Sequence, residues 1–222
     1  MNQQTLIADL WAHVPVGPDA REDVAARMSG ADRHYHGIDH LAVLWGRHIH
    51  HGANLPVCQK PWHRLIASTI AFHDAIYEPV RQDNEIRSAE LWRNASPSLD
   101  RWEIDWVSST ILATADHLGS RPEAGMTDAA WAARLWLLDL DLTPLGEARD
   151  DFNASTVALR REYAHLDDTT WASGRRGFLK NLSLKPVFYR TPVLAAAFER
   201  QARENLAREL ADCADVIRTG GK

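Results

Sequence analysis

Apolar residues recur three and four positions apart along nearly the whole chain, and this spacing constrains the fold more than any other feature. It places apolar side chains on one face of an α-helix, whereas a half-buried strand alternates at every second residue. Proline, glycine and capping residues interrupt the pattern at intervals of about one helix. We therefore predict an all-α helical bundle of about nine or ten helices, over residues 3–13, 19–29, 38–52, 61–77, 83–95, 99–118, 127–141, 144–165, 170–184 and 192–217.

The 222 residues suffice for one large domain with a buried core. No internal repeat, low-complexity segment or long linker divides them, so we predict a single helical domain over 1–222. Its core, at about 33–146, carries the candidate site described below, and C-terminal helices over 147–217 pack on it. The last helix is long, alanine-rich and amphipathic, which leaves a homodimer open as an alternative to packing within one chain.

Composition excludes several classes of protein. A formal net charge of −5 argues against nucleic acid or an anionic membrane as the partner. No apolar run is long enough to span a bilayer. The two cysteines form no CxxC motif, which argues against a disulfide framework and fits a reducing compartment. The first residues lack the basic and apolar regions of a signal peptide, so we predict a cytoplasmic protein.

Histidine is concentrated in one part of the sequence, because eight of the 11 histidines lie between His34 and His73. His73 falls on the same predicted helix face as Ile70 and Tyr77, and Asp74 follows it. A buried imidazole and carboxylate are costly unless something satisfies them. Taken alone, this His-Asp pair is weak evidence, since a hydrogen-bonded core histidine beside a surface aspartate is the better explanation of an isolated pair.

The surrounding sequence strengthens the metal interpretation. Upstream, His36 and His40 are four residues apart and share a face if the segment is helical. Downstream, Asp139 and Asp141 lie within the apolar run LWLLDLDL, where a carboxylate needs a cation or a hydrogen-bond network. Histidines and aspartates from separate helices can converge on one ion. Such a mixed nitrogen and oxygen site suits Mn, Fe, Co, Ni, Zn or Mg.

The order of these residues resembles the H…HD…D signature of the HD superfamily of metal-dependent phosphohydrolases, an all-α family. The chain is similar to one predicted phosphohydrolase branch of that family, whose substrate is poorly defined. The matching blocks span about residues 33 to 209 and are Arg33-x-Tyr35-His36-x3-His40, Phe72-His73-Asp74-x2-Tyr77, Asp83-Asn84-Glu85-x2-Ser88-Ala89, Thr114-x2-His117, Leu138-Asp139-x-Asp141-Leu142-x2-Leu145-Gly146, Arg160-x-Glu162-Tyr163 and Glu199-x2-Ala202-Arg203-x-Asn205-Leu206.

The resemblance implies a divalent metal ion held by His40, His73, Asp74 and one aspartate of the DLD segment. Residues two apart on a regular helix face roughly opposite sides, so Asp139 and Asp141 cannot both bind one ion. Asp141 better matches the second aspartate of related signatures and is the favoured fourth ligand, with Asp139 as the alternative.

The other candidate residues surround this centre in the sequence. Arg33 and Arg81 are the predicted phosphate contacts, since a guanidinium binds an oxyanion through two donors. His36 and Tyr77 complete the predicted substrate site, and His36 is alternatively an orienting partner of a metal ligand. Asp83 is a candidate N-cap of the helix that begins at 84.

Glu85 or Asp74 is the predicted proton acceptor. His117 is a candidate second-metal ligand, phosphate donor or proton relay, and a helix-terminal histidine favoured by the helix dipole is the structural alternative.

These features predict a metal-dependent hydrolase that uses a metal-activated water on a phosphoester, with a nucleotide or another small phosphorylated metabolite as the substrate. Two alternatives remain: a mixed-valent di-iron oxygenase of the same superfamily, and a non-catalytic ligand-binding protein that kept the fold.

Overall fold

The computed structural model describes residues 1–220 and contains no β-strand within that range. The all-α prediction with about nine or ten helices is confirmed. The ten α-helices are α1 (Gln3–His13), α2 (Pro18–Met28), α3 (Ile38–Gly52), α4 (Trp62–Phe72), α5 (Asn84–Ala95), α6 (Arg101–Ala113), α7 (Asp128–Asp141), α8 (Arg149–Glu162), α9 (Asp168–Ser183) and α10 (Pro192–Thr219). Three short 3-10 helices cover Pro56–Cys58, Thr114–Asp116 and Thr143–Gly146.

The chain forms two compact units, Met1–Leu140 and Asp141–Lys222, the second described to residue 220. In the first unit, α1 packs on α3 and α4, and α6 packs on α4 and α5. In the second unit, α9 and the last 3-10 helix pack on α10. The single domain over 1–222 stays a prediction.

Helix α4 is shorter than the periodicity predicts. It ends at Phe72 instead of continuing through the predicted range 61–77, so the His-Asp pair lies at its C-terminal end and in the turn beyond it. The carbonyl groups of Asp74 and Ala75 accept hydrogen bonds from the guanidinium of Arg33, at 2.7 and 3.1 Å. These two carbonyl groups lie beyond the end of α4, and Arg33 satisfies them where no helical N–H group reaches.

Tryptophan side chains form much of the core of the first unit. Trp45 and Trp136 are buried, and their indole N–H groups donate to Asp9 Oδ2 at 2.9 Å and to His48 Nδ1 at 3.0 Å. A buried tryptophan needs a partner for its N–H group, and both have one. Trp102, by contrast, is 47% exposed.

His48 should make the first unit sensitive to acid. Burial first, and then the neighbouring His63 and His13, lower the pKa of His48 from 6.5 to about 3. The unfolded chain therefore binds a proton below pH 6.5 that the folded chain does not bind until about pH 3. The free energy of unfolding is therefore highest above pH 6.5. As the pH falls from 6.5 towards 3, His48 lowers it by about 1.4 kcal/mol per pH unit.

Urea unfolding in metal-free buffer, followed by tryptophan fluorescence, measures this slope, because eight of the nine tryptophans precede residue 141. We expect His48→Gln to reduce the slope by about one proton, and His50→Gln, an exposed position on the same helix, to leave it unchanged. An unchanged slope in His48→Gln would contradict this account.

The second unit depends on a close approach between the 3-10 helix Thr143–Gly146 and α10. A Cβ atom on Gly146 would lie 2.7 Å from both the Cβ atom and the backbone oxygen of Phe198. Asn205 of α10 donates to the carbonyl groups of Leu145 and Glu147, each at 2.9 Å. Glycine is therefore required at this contact, since backbone atoms cannot move aside for a methyl group.

We expect Gly146→Ala to destabilise the second unit by about 1–3 kcal/mol through overpacking. Gly174→Ala is the matched control, because it adds the same methyl group on α9 where nothing lies within 4 Å. In that helix interior alanine stabilises by about 0.5–1 kcal/mol. Chemical denaturation followed by circular dichroism checks both, and equal effects of the same sign would contradict the packing argument.

Candidate metal centre

Three potential ligands from adjacent elements of the first unit lie close together. His40 is in the first turn of α3, His73 is the C-cap of α4, and Asp74 lies in the following turn. Asp74 Oδ2 lies 3.0 Å from His73 Nε2 and 3.9 Å from His40 Nε2, and the three ligand atoms all lie within 4.8 Å of one another. The structure thus brings together the three residues proposed as ligands from the sequence.

The orientation of His73 is fixed by its other ring nitrogen. Nδ1 lies 3.0 Å from the carbonyl oxygen of Ile70, which can only accept, so Nδ1 carries the proton. In the neutral ring, Nε2 then presents a lone pair to Asp74 Oδ2. Two acceptor atoms at 3.0 Å repel each other unless a proton or a metal cation lies between them. Metal-binding histidines commonly use a carbonyl to hold the ring in this way.

The spacing of the three atoms suits one small ion. Atoms bound to an octahedral ion at about 2.1 Å lie about 3.0 Å apart when adjacent and about 4.2 Å apart when opposite. The 3.0 Å from Asp74 Oδ2 to His73 Nε2 equals the adjacent value, whereas the 3.9 Å to His40 Nε2 lies between the two values, so regular geometry requires a small movement of one of these side chains. The side chains of His40 and His73 are buried, whereas 17% of the Asp74 side chain is exposed, so solvent reaches the site from the carboxylate.

Arg33 holds the turn on which the centre is built. One terminal nitrogen donates to the carbonyl groups of His36 and Asp74 at 2.8 and 2.7 Å, and the other donates to Ala75 at 3.1 Å. The guanidinium therefore joins the segment before α3 to the turn after α4. Arg33 was proposed as a phosphate contact, and these bonds give it a positioning role at the same place.

Two further proposed substrate residues lie beside this guanidinium. The rings of His36 and Tyr77 stack with centroids 3.9 Å apart, and the guanidinium carbon of Arg33 lies 5.6 Å from the Tyr77 centroid. The Tyr35 ring lies 5.4 Å from that of His40. The aromatic rings of Tyr35, His36 and Tyr77 thus lie between the candidate metal ligands and the guanidinium of Arg33.

Arg81 lies apart from this group, on the exposed loop before α5. Its guanidinium makes two hydrogen bonds to the Asp83 carboxylate, at 2.6 and 2.5 Å. These bonds raise the pKa of Arg81 and lower the pKa of Asp83. Asp83 occupies the N-cap position of α5, but its side chain makes no capping bond. Glu85 follows in the first turn of α5 and is half-buried.

The remaining candidates are placed less directly. His117 follows the 3-10 helix Thr114–Asp116 and is half-buried. Asp139, which belongs to the first unit, is completely buried, whereas Asp141 is half-buried and begins the second unit. The choice between these two aspartates stays a prediction.

Sequence reasoning missed the side chains that secure the loop after the His-Asp turn. Asn84 of α5 exchanges two hydrogen bonds, each of 3.0 Å, with the backbone of Glu78. Ser88, one turn further along, accepts from the amide of Ile76 at 3.0 Å. Both residues lie in a block that carries the family resemblance, which was the available signal, but their partners are visible only in three dimensions.

Comparison with known proteins identifies no relative, because no protein-family model, curated protein or solved structure matches the chain. Among the described residues, no helix has both the length and the apolar character needed to cross a bilayer.

Arg33→Lys should destabilise the first unit, because an ammonium group cannot reproduce the planar fork that reaches two successive carbonyl groups. We expect a loss of about 1–3 kcal/mol, the cost of leaving part-buried acceptors without their donor. The control is Arg81→Lys on the exposed loop, where we expect a change within about 0.5 kcal/mol. Urea unfolding measures both, and an Arg33→Lys variant as stable as the control would contradict the positioning role.

Proposed function

We propose that the protein is a metal-dependent hydrolase of the HD type that acts on a small phosphorylated metabolite, with a nucleotide as the first candidate. The observation that carries the proposal is the approach of His73 Nε2 to Asp74 Oδ2 at 3.0 Å while His73 Nδ1 is bonded to a carbonyl. A proton or a metal cation must lie between these two atoms, and a metal ion at this position would also lie beside the third ligand atom, His40 Nε2.

The donor set fits a divalent ion. Two imidazole nitrogens and a carboxylate oxygen suit Zn, Mn, Fe, Co or Ni, and Mg to the extent that water completes its shell. Such an ion, when bound, supplies Lewis acidity that lowers the pKa of water and offsets charge on a phosphoryl group.

The chain's own residues have distinct roles in this proposal. His40, His73 and Asp74 bind the ion, and the Ile70 carbonyl keeps His73 Nε2 directed towards it. Arg33 fixes the turn, so that the carboxylate stays where the ion needs it. Glu85 and the second oxygen of Asp74 are the proposed proton acceptors.

Burial favours Asp139 as the fourth ligand. A carboxylate with no exposed surface requires a cation or strong donors, whereas the half-buried Asp141 retains contact with water. Asp139 also lies three residues after Trp136, on the helix face whose indole bonds to His48 of α3. The proposal therefore takes Asp139 as the first candidate and keeps Asp141, the residue favoured by the sequence, as the alternative.

The phosphoester substrate rests on the family resemblance and on the aromatic and basic surroundings of the site. The His36–Tyr77 stack offers a flat surface beside the ligands, of the kind that a nucleobase can contact. Arg81 lies on an exposed loop and is the proposed phosphate contact, reached by exchange with Asp83. A cytoplasmic location remains a prediction from the sequence.

The test is metal analysis of the purified full chain, followed by turnover of nucleotides and sugar phosphates with Mn, Co, Ni, Zn and Mg. We expect about one divalent ion per chain whose binding depends on His73 and Asp74, and metal-dependent release of phosphate. His73→Ala and Asp74→Asn should lose the ion and reduce kcat/KM by at least about a hundredfold, because each removes a direct ligand. His50→Ala, which removes an exposed histidine from α3, should change neither quantity.

Each alternative has its own signature in these measurements. Full metal-dependent turnover in Asp74→Asn would contradict the proposal. Two irons per chain with oxygen uptake would favour the oxygenase, and bound metal without turnover of any phosphoester would favour the ligand-binding alternative. Comparing Asp139→Asn with Asp141→Asn in the metal analysis identifies the fourth ligand.

A further inference from the structure

A second group of potential ligands lies in the first unit and takes no part in the proposed hydrolysis. His48 is in α3, Cys58 ends the following 3-10 helix, and His63 is in the first turn of α4. His48 Nε2 lies 2.9 Å from His63 Nδ1 and 3.6 Å from Cys58 Sγ, and the three ligand atoms all lie within 4.8 Å of one another. His48 is fully buried, whereas Cys58 and His63 are half-buried and leave one side of the group open.

The backbone is shaped to let the thiol reach this position. A Cβ atom on Gly52, the last residue of α3, would lie 2.9 Å from Cys58 Sγ and 3.3 Å from the ring of Trp136. A larger residue at 52 would clash with the thiol in this position. The glycine therefore supports the cluster independently of the distances within it.

The distances fit tetrahedral zinc geometry. With Zn–S near 2.3 Å and Zn–N near 2.05 Å, the tetrahedral angle places sulfur about 3.6 Å from nitrogen and two nitrogens about 3.3 Å apart. The observed 3.6 Å from Cys58 Sγ to His48 Nε2 equals the first value. The 2.9 Å between the two imidazole nitrogens is a little short, so a small outward movement of the half-buried His63 suffices.

We propose that His48, Cys58 and His63 form a second cation site, which takes Zn²⁺ through two imidazoles and one thiolate with water in the fourth position. A soft sulfur ligand distinguishes this site from the all-nitrogen-and-oxygen centre at Asp74. On binding, Cys58 releases its thiol proton to solvent, and the proton on His48 moves from Nε2 to Nδ1.

One hydrogen bond of the metal-free protein opposes zinc. Trp136 donates its indole N–H to His48 Nδ1 at 3.0 Å, so the neutral His48 ring keeps its proton on Nε2 and donates to His63. Zinc at Nε2 places a proton on Nδ1, where it faces the indole donor, and that bond is lost. Two buried donors, the indole N–H and the new Nδ1–H, then lack an acceptor, and each costs about tenfold to a hundredfold in affinity.

Structural zinc sites with four cysteine and histidine ligands bind with dissociation constants of about 0.1 µM or lower. This site has three protein ligands and loses a hydrogen bond on binding, so we expect it to bind zinc more weakly than those sites do. Because the bond from Trp136 opposes zinc, removing its indole donor should increase the affinity of the site for zinc.

Burial also separates this proposal from a redox role for the cysteine. It raises the pKa of the Cys58 thiol, so that in the absence of a cation the group is a protonated thiol and a poor nucleophile. The site needs the cation to form the thiolate.

Co²⁺ titration of the chelator-treated full chain tests the proposal without reference to activity. Cobalt bound by a thiolate gives a sulfur-to-metal charge-transfer band in the near ultraviolet, which the centre at Asp74 cannot produce. We expect this band in the unaltered chain and in His73→Ala, its loss in Cys58→Ser, and affinity at least about a hundredfold weaker in His63→Gln. Cys213→Ser, which removes the other cysteine, should leave the band intact.

Trp136→Phe should bind Co²⁺ and Zn²⁺ about tenfold more tightly, because the competing donor is gone. A cluster that is only a hydrogen-bond network gives no thiolate band in the unaltered chain, and that result overturns the proposal. A folded Trp136→Phe variant with weaker binding also overturns it.

A second measurement needs no variant. Zinc should slow alkylation of Cys58 at least about tenfold relative to Cys213 in the same chain, measured by peptide mass. Equal protection, or none, at the two cysteines overturns the proposal.

Discussion

The bonds from Arg33 to the carbonyl groups of Asp74 and Ala75 hold the turn on which the candidate centre forms. Helix α4 stops at Phe72, so that Asp74 lies in this turn, close to His73 and to His40 of α3. Arg33 also binds the carbonyl group of His36, and it thereby joins the turn to the segment before α3. The resulting approach of a carboxylate oxygen to an imidazole lone pair is stable only with a positive charge between them. The proposed chemistry therefore begins with a backbone contact.

Much of the fold was accessible from the sequence because its helices are regular and clearly ended. Helix α3 has the predicted range, Ile38–Gly52, since apolar spacing acts locally. The conformation of the turn after α4 was not accessible, because the arginine that binds it lies 41 residues away in the chain. Residue type also could not separate the two arginines proposed as phosphate contacts. Arg33 binds backbone carbonyl groups, whereas Arg81 pairs with a neighbouring aspartate on an exposed loop.

The residues proposed as metal ligands could be identified from the sequence, whereas the residues that support them could not. His40, His73 and Asp74 could be proposed because imidazole and carboxylate groups at apolar positions require a partner. Asn84 and Ser88 gave no such signal, since short polar residues near a helix start are common and their partners are backbone groups. The order of burial of Asp139 and Asp141 depends on how α7 packs, which periodicity alone does not specify.

Helices α3 and α4 each contribute one ligand to each of the two clusters. Helix α3 carries His40 and His48, and α4 has His63 in its first turn and His73 as its C-cap. A cation at His48, Cys58 and His63 would fix one part of this helix pair, and one at His40, His73 and Asp74 would fix the other.

The central claim is that a cation belongs between His73 and Asp74. Anomalous X-ray diffraction from crystals of the full chain grown with Mn²⁺ or Zn²⁺ tests it most directly. The account predicts a peak bonded to His40 Nε2, His73 Nε2 and an oxygen of Asp74. Crystals saturated with either metal that show no peak there, with the His73–Asp74 approach unchanged at 3.0 Å, would contradict it.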